Sequence, residues 1–225
     1  MNDLLNTFFS KNFENNINEK MMYYSYSFEH HLINEYIEKL LSTPLVSFLN
    51  FIFENYKVPY LEAVDVVQFS NIEDCTAKIC TVIKEAGDKG YTSLEVGKLL
   101  ENDGIVRKDG AYLKYGENQA KTAVQFGLLT QISNKFFLSC IGYVFADLTE
   151  DEQRRLLTRL ILRNKLVQRL FYKAEKNGSS EYLYETGFLS ETTRLRRKSN
   201  VKTIISFVCN TDEMDLSGML SKIMF

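Results

Sequence analysis

The chain has 225 residues, 45% of them hydrophobic and 25% charged, with a formal net charge of -2. That apolar content can fill one large core or two to three small ones, and it excludes a disordered or low-complexity chain. A near-neutral whole also removes any argument for a polyanionic partner from global charge, leaving only local distribution to carry one. Residues 1–72 have a net charge of -5, residues 73–148 of -1 and residues 149–225 of +4. The last third therefore has the best electrostatic case for nucleic acid, and the first third the worst.

Residues 1–20 are rich in Asn, but Phe8, Phe9 and Phe13 argue against full disorder. Tyr23 to Leu41 reads as a helix, with Phe28, Leu32, Ile33, Tyr36, Ile37 and Leu40 at helical spacing. His30 and His31 lie within it and read as a partly exposed surface pair, since a ligand site would need nearby Cys, Asp or Glu partners at ligand spacing. Thr43-Pro44 opens a second helix, with a hydroxyl at the cap and proline at the first helical position. Leu45, Phe48, Leu49 and Ile52 form its apolar face, and Pro59 ends it. The run Glu62 to Phe69 reads as a strand or a linking segment. This helical N-terminal region, residues 1–70, is expected either to pack on the next module of the chain or to pair with a second copy.

Residues 71–148 read as helix, helix, helix, hairpin. Helix one is expected from about Ile72 to Ala86, burying Ile79, Val82, Ile83 and Ala86. Gly87 to Gly90 closes it with turn chemistry. Thr92 caps helix two, and Glu95 completes a capping box. Leu94, Val96, Leu99 and Leu100 form the apolar face of helix two. A linker from Glu101 to Tyr115 holds Gly104, Arg107, Lys108, Gly110 and Lys114. Its cations precede helix three, where phosphates would pass if that helix lay in a groove. Helix three is expected over Gly116–Gln131, with Ala120, Ala123, Val124 and Leu128 buried. Lys114 just before it, and Asn118, Gln119, Lys121 and Thr122 in its first half, are side chains able to read base edges or hold phosphates. A hairpin around Ser133-Asn134, flanked by Ile132 and Phe136-Phe137, supplies a wing.

Residues 149–225 begin with Thr149-Glu150-Asp151-Glu152, anions suited to a helix start. Leu156, Leu157, Leu160, Ile161, Val167, Leu170 and Phe171 give that helix an apolar face, and seven cations from Arg154 to Lys173 occupy much of the rest. Gly178 and the serines after it break the helix. Ser190 caps the next one, with Glu191 in its first turn. Thr192, Arg194, Arg196, Arg197 and Lys198 then make a basic helix start, and Val201, Ile204, Ile205 and Val208 make an apolar anchor behind it. Arginines so placed can pair with guanine or clamp phosphate, although a charge run on a solvated face is the plainer reading. Asp212 to Phe225 reads as a final short amphipathic helix.

The runs GYTSLEVGKLL and AYLKYGENQAKTAVQFGLL, the wing, DEQRRLLTRLILRNKLVQ and LSETTRLRRKSNVKTII together resemble tandem winged-helix modules of bacterial restriction-modification and phage-defence proteins. The resemblance covers roughly Tyr60 to Val208. It implies a mainly α fold with small β wings, in tandem winged helix-turn-helix modules preceded by a helical region. It implies duplex DNA as partner, and target recognition on behalf of a nuclease or ATPase. No effector domain is visible here, which implies a stand-alone DNA-binding subunit or a fragment. The residues it carries over are Asn118, Gln119, Lys121 and Thr122 in the first module, and Thr192, Arg194, Arg196 and Arg197 in the second.

Enzymatic activity is not expected. No GxSxG, phosphate-binding loop, HExxH or strand-linked GxGxxG occurs. Glu62, Asp65 and Lys78 are the best nuclease-like set, but Lys78 falls on an expected helix. Cys75, Cys80, Cys140 and Cys209 lack metal-ligand spacing and read as buried thiols, so neither metal nor cofactor is implied. No apolar run of about 18 residues is present and no secretory leader is recognisable, so a cytoplasmic location is expected. Two other readings stay open: a protein-interaction or assembly module, as a homodimer or with an effector subunit, and a transcription regulator that senses a small ligand.

Overall fold

The computed structural model describes residues 27–57, 60–87, 89–101 and 106–225. Along the chain it forms α1 (Ser27–Ser42), α2 (Leu45–Asn55), a 3-10 turn (Ala63–Asp65), α3 (Ala77–Glu85), α4 (Ser93–Leu100) and α5 (Asp109–Gln125). There follow β1 (Leu129–Ile132), β2 (Lys135–Leu138), α6 (Cys140–Phe145), α7 (Glu150–Leu162) and α8 (Lys165–Asn177). The chain ends with β3 (Ser180–Glu181), α9 (Tyr182–Glu185), α10 (Glu191–Cys209), α11 (Ser217–Ser221) and β4 (Ile223–Met224). It is mainly helical, with a small two-stranded antiparallel sheet. The start of the expected first helix, the side chains of His30 and His31, Pro59 and Gly104 lie outside the described residues.

Two compact units divide the chain, and they cross the segment boundaries expected from sequence. Among the described residues one unit takes 41–67 and 155–225, and the other takes 27–40 and 68–154.

In the unit of residues 68–154 the core is built from α3, α4, α5, the hairpin and α6. Ile79, Cys80, Ile83, Val96, Leu100, Ala120, Ala123, Phe126, Leu128 and Phe136 are all fully or almost fully buried. The apolar spacing of each helix dictates this. Thr92 caps α4 as expected: its hydroxyl accepts from the Glu95 N–H while the Glu95 carboxylate accepts from the Thr92 N–H. β1 and β2 pair antiparallel, with Leu129 opposite Leu138 and Ile132 opposite Lys135. The Ser133-Asn134 turn joins them, with Ser133 in the left-handed region at φ 56°. Tyr91 adds a bridge to Phe136 on the other edge of β2. Ser139 caps α6 and also donates to the Gly127 carbonyl, locking the hairpin's exit.

Two helix boundaries differ from expectation. The first helix starts at Ala77 rather than Ile72, because Thr76 turns its hydroxyl back to the Ile72 carbonyl and its backbone is non-helical. The third begins at Asp109 rather than Gly116 and stops at Gln125, short of Gln131. The added N-terminal turns bring Tyr112 onto α4, where Gly97 leaves room for the Tyr112 backbone. Gly127, at φ 76°, ends the helix and turns the chain into β1.

In the unit of residues 41–67 and 155–225, the expected long basic helix is two helices. Asn164 interrupts it by accepting from the Leu166 and Val167 N–H groups as the N-cap of α8. Its side-chain amide also donates to the Asp65 carbonyl. Gly178, at φ 77°, closes α8 in the left-handed conformation. The core gathers Leu45, Phe48, Leu160, Ile161, Val167, Leu170, Phe171, Tyr182, Ile204, Ile205 and Val208. Buried within it, with no exposed surface, is Arg159. Its guanidinium donates to both Glu213 oxygens at 2.7 Å, to the Arg155 carbonyl at 2.8 Å and to the Thr43 carbonyl at 2.6 Å. No second antiparallel hairpin forms here among the described residues, where a wing was expected; β3 and β4 make a parallel pair two residues long. The tail is helical only over Ser217–Ser221. Glu62 to Phe69 links elements through the 3-10 turn and forms no strand.

Candidate nucleic-acid interface

Helix α5 carries the first group of candidate residues, and its periodicity separates them. Tyr112, Gly116, Gln119, Ala120, Thr122 and Ala123 form the buried side. Lys114 and Lys121 are exposed, and Asn118 is half-buried between them. At spacings of four and three residues these three share a stripe, which Gln125 continues.

Gln119 and Thr122 are therefore corrections. Gln119 has no exposed surface; among the described residues neither its amide nitrogen nor its oxygen has a partner at good hydrogen-bond geometry, Tyr115 being its polar neighbour. Thr122 is 1% exposed and donates its hydroxyl to the Gln68 carbonyl at 2.9 Å. Once α5 begins at Asp109, these two positions fall on the side that packs. Beside Gln119, the Tyr115 hydroxyl donates to Asp74 at 2.5 Å. Burial, and then that bond to a carboxylate, hold the Tyr115 proton well above the usual phenol range.

The outer surface of α5 mixes signs. Lys121 pairs with Glu117 one turn back, Lys98 with Asp109 at 2.9 Å, and Arg107 with Glu101 at 3.4 Å. Lys108 and Lys114 add exposed positive charge, as does Lys135 on the hairpin. Leu113 is 50% exposed on the same helix, and Ile132 is 45% exposed at the hairpin tip. Leu113 escaped the sequence reading because the stretch before Gly116 was expected to be a linker. Extending the helical pattern back from Ala120 through Gly116 and Tyr112 would have revealed its outward position.

Helix α10 carries the second group. Thr192 and Arg196, four residues apart, are exposed on one face; Lys198, half-buried and two residues on from Arg196, projects away from that face. Arg194 and Arg197 turn the other way, which corrects the expectation that both reach outward. Arg194 donates to the Leu183 carbonyl at 3.0 Å. Arg197 donates to the carbonyls of Ala63 and Val66 at 2.7 and 2.8 Å. Desolvation lowers the pKa of Arg197, with Arg196 beside it acting in the same direction. The physical reason is periodicity again: positions 194 and 197 precede Val201, Ile204 and Val208 on the inward side.

Among the described residues no cluster of His, Cys, Asp and Glu could hold a metal ion. All four cysteines are buried and none is in a disulfide; burial pushes the thiols of Cys75, Cys80 and Cys209 up, Cys209 to about 12. No helix among the described residues is long and apolar enough to cross a membrane. Comparison with protein-family models, with curated proteins and with solved structures gives no match.

Proposed function

We propose that this chain binds duplex DNA, with the residue 68–154 unit acting as a winged helix-turn-helix whose recognition helix is α5. The observation that carries the reading is the outward stripe of Lys114, Asn118 and Lys121 on the third of the three helices that precede the hairpin within residues 68–154. Long polar side chains on such a face can enter a major groove while Lys108 and Lys135 flank it toward phosphates. Thr192 and Arg196 on α10 are a second candidate surface, in the other unit. Target recognition in a restriction or phage-defence system is the cellular role that the sequence resemblance favours.

Fluorescence anisotropy with a short duplex at about 50 and 200 mM salt tests the reading. Neutralised phosphates release counterions, so affinity should fall steeply across that range. Lys114→Ala with Lys121→Ala should flatten the dependence by up to about two counterions. Absence of duplex binding at the lower salt concentration would overturn the proposal.

A second reading draws support from the carboxylates interleaved on the same face and from exposed Leu113, which suit a protein partner. A stable dimer by light scattering, indifferent to DNA, would favour it.

A further inference from the structure

We propose that Asn118 reads adenine in the major groove; this rests on the duplex-binding reading and names the base recognised by the same face. Asn118 lies midway along the outward stripe, one helical turn from Lys114 on one side and from Lys121 on the other. Cations in those two positions suit phosphates on either side of a base pair, and they leave the group between them over the base edges. The side chain of Asn118 is half-buried and makes no hydrogen bond with another described residue. Its amide oxygen and nitrogen are therefore both uncommitted.

A carboxamide offers one acceptor and one donor side by side. Adenine presents the complement in the major groove, an N6 donor beside an N7 acceptor, and no other base presents that pair in the same order. The other amides of α5 are worse placed. Gln119 faces the core, and Gln125 stands at the last turn with its oxygen already buried. Glu117, the one carboxylate on the middle of the face, is held by Lys121.

The test uses the full chain and a pool of duplexes of about 30 base pairs that the protein has enriched from random sequence. The pool is copied once with adenine and once with 7-deazaadenine, which lacks the N7 acceptor. Wild type should bind the 7-deaza pool about five-fold or more weakly, as expected for loss of a specific amide–adenine bond. Asn118→Ala should bind the adenine pool more weakly than wild type and should not distinguish the two pools. Lys121→Ala should lose affinity for both pools while keeping the wild-type ratio between them. Equal binding of both pools by wild type, or discrimination persisting in Asn118→Ala, overturns the adenine assignment while duplex binding stands. Failure to retain any duplex at low salt overturns the duplex-binding reading, and this assignment with it.

Discussion

Gly97 and Gly116 let two helices touch at the backbone. A methyl group on Gly116 would stand 2.4 Å from the Gly97 nitrogen and 2.0 Å from the Ser93 carbonyl oxygen. One on Gly97 would stand 2.1 Å from the Tyr112 carbonyl oxygen. The crossing of α4 and α5 therefore has no space for any larger residue, and it sets which side of α5 faces outward.

Gly116→Ala should accordingly destabilise the unit by roughly 2–3 kcal/mol, since the obstructing atoms are backbone and the helices must separate. Gly110→Ala on the same helix is the control. Nothing lies within 4 Å of a methyl group there, so relief of helix entropy should stabilise by about 0.5–1 kcal/mol. Urea denaturation of both variants checks the pair. Equal effects would mean that the close approach does not constrain the fold.

Arg159 and Glu213 form a buried ion pair in the other unit. Arg159→Met removes the donors of two carbonyls and leaves a carboxylate only 15% exposed with the Arg155 Nε, 3.8 Å away, in place of the bidentate guanidinium. Losing one partner of such a pair costs about 3–5 kcal/mol, whereas well-packed apolar replacement of both is often tolerated. Arg159→Met should thus unfold at much lower urea than Arg159→Met with Glu213→Leu. If the single and double variants lose the same stability, the pair is not the source of the effect.

The capping box on α4 titrates. Bonds from the Thr92 N–H and hydroxyl hold the Glu95 carboxylate below its ordinary value. A depressed folded-state value means that the contribution is complete above the ordinary glutamate value of 4.5 and fades as pH falls through the folded value. Glu95→Gln keeps hydrogen-bonding atoms but cannot titrate. The stability gap between wild type and this variant should be present at pH 7 and shrink at about pH 3. A gap independent of pH would assign the stabilisation to something other than the carboxylate. Thr92→Ala should cost about 1 kcal/mol at pH 7 through loss of the cap hydroxyl, and less at low pH, where the protonated Glu95 no longer gains from that hydroxyl.

Local chemistry made parts of this fold legible. Thr92 with Glu95, the Ser133-Asn134 turn and Gly178 each act within a few residues, so sequence identified the α4 cap, the hairpin and the end of α8. The start of α5 was not legible. Gly110 and the cations around it resemble a loop, and only packing of Tyr112 and Gly116 on α4 makes the stretch helical. The break at Asn164 was hidden because apolar spacing continues through it. The same limit governed the candidate site. Polar identity alone could not separate Asn118 from Gln119 or Arg196 from Arg197; the direction of each helix's apolar side decided both.

That separation gives the last prediction. Arg197 is an internal strap, since its guanidinium serves the carbonyls of Ala63 and Val66. Arg196 is an exposed cation one residue away, about 100° round α10. Arg197→Ala should lower stability by roughly 1–3 kcal/mol, leaving two carbonyls without a charged donor. Arg196→Ala should change stability by less than about 0.5 kcal/mol. If α10 contacts DNA, Arg196→Ala should also reduce the salt dependence of binding by about one counterion. Denaturation midpoints and a salt titration on the same two proteins distinguish the roles. A stable Arg197→Ala that loses DNA affinity, beside an Arg196→Ala that does neither, would reverse the assignment and turn the outward face of α10 around.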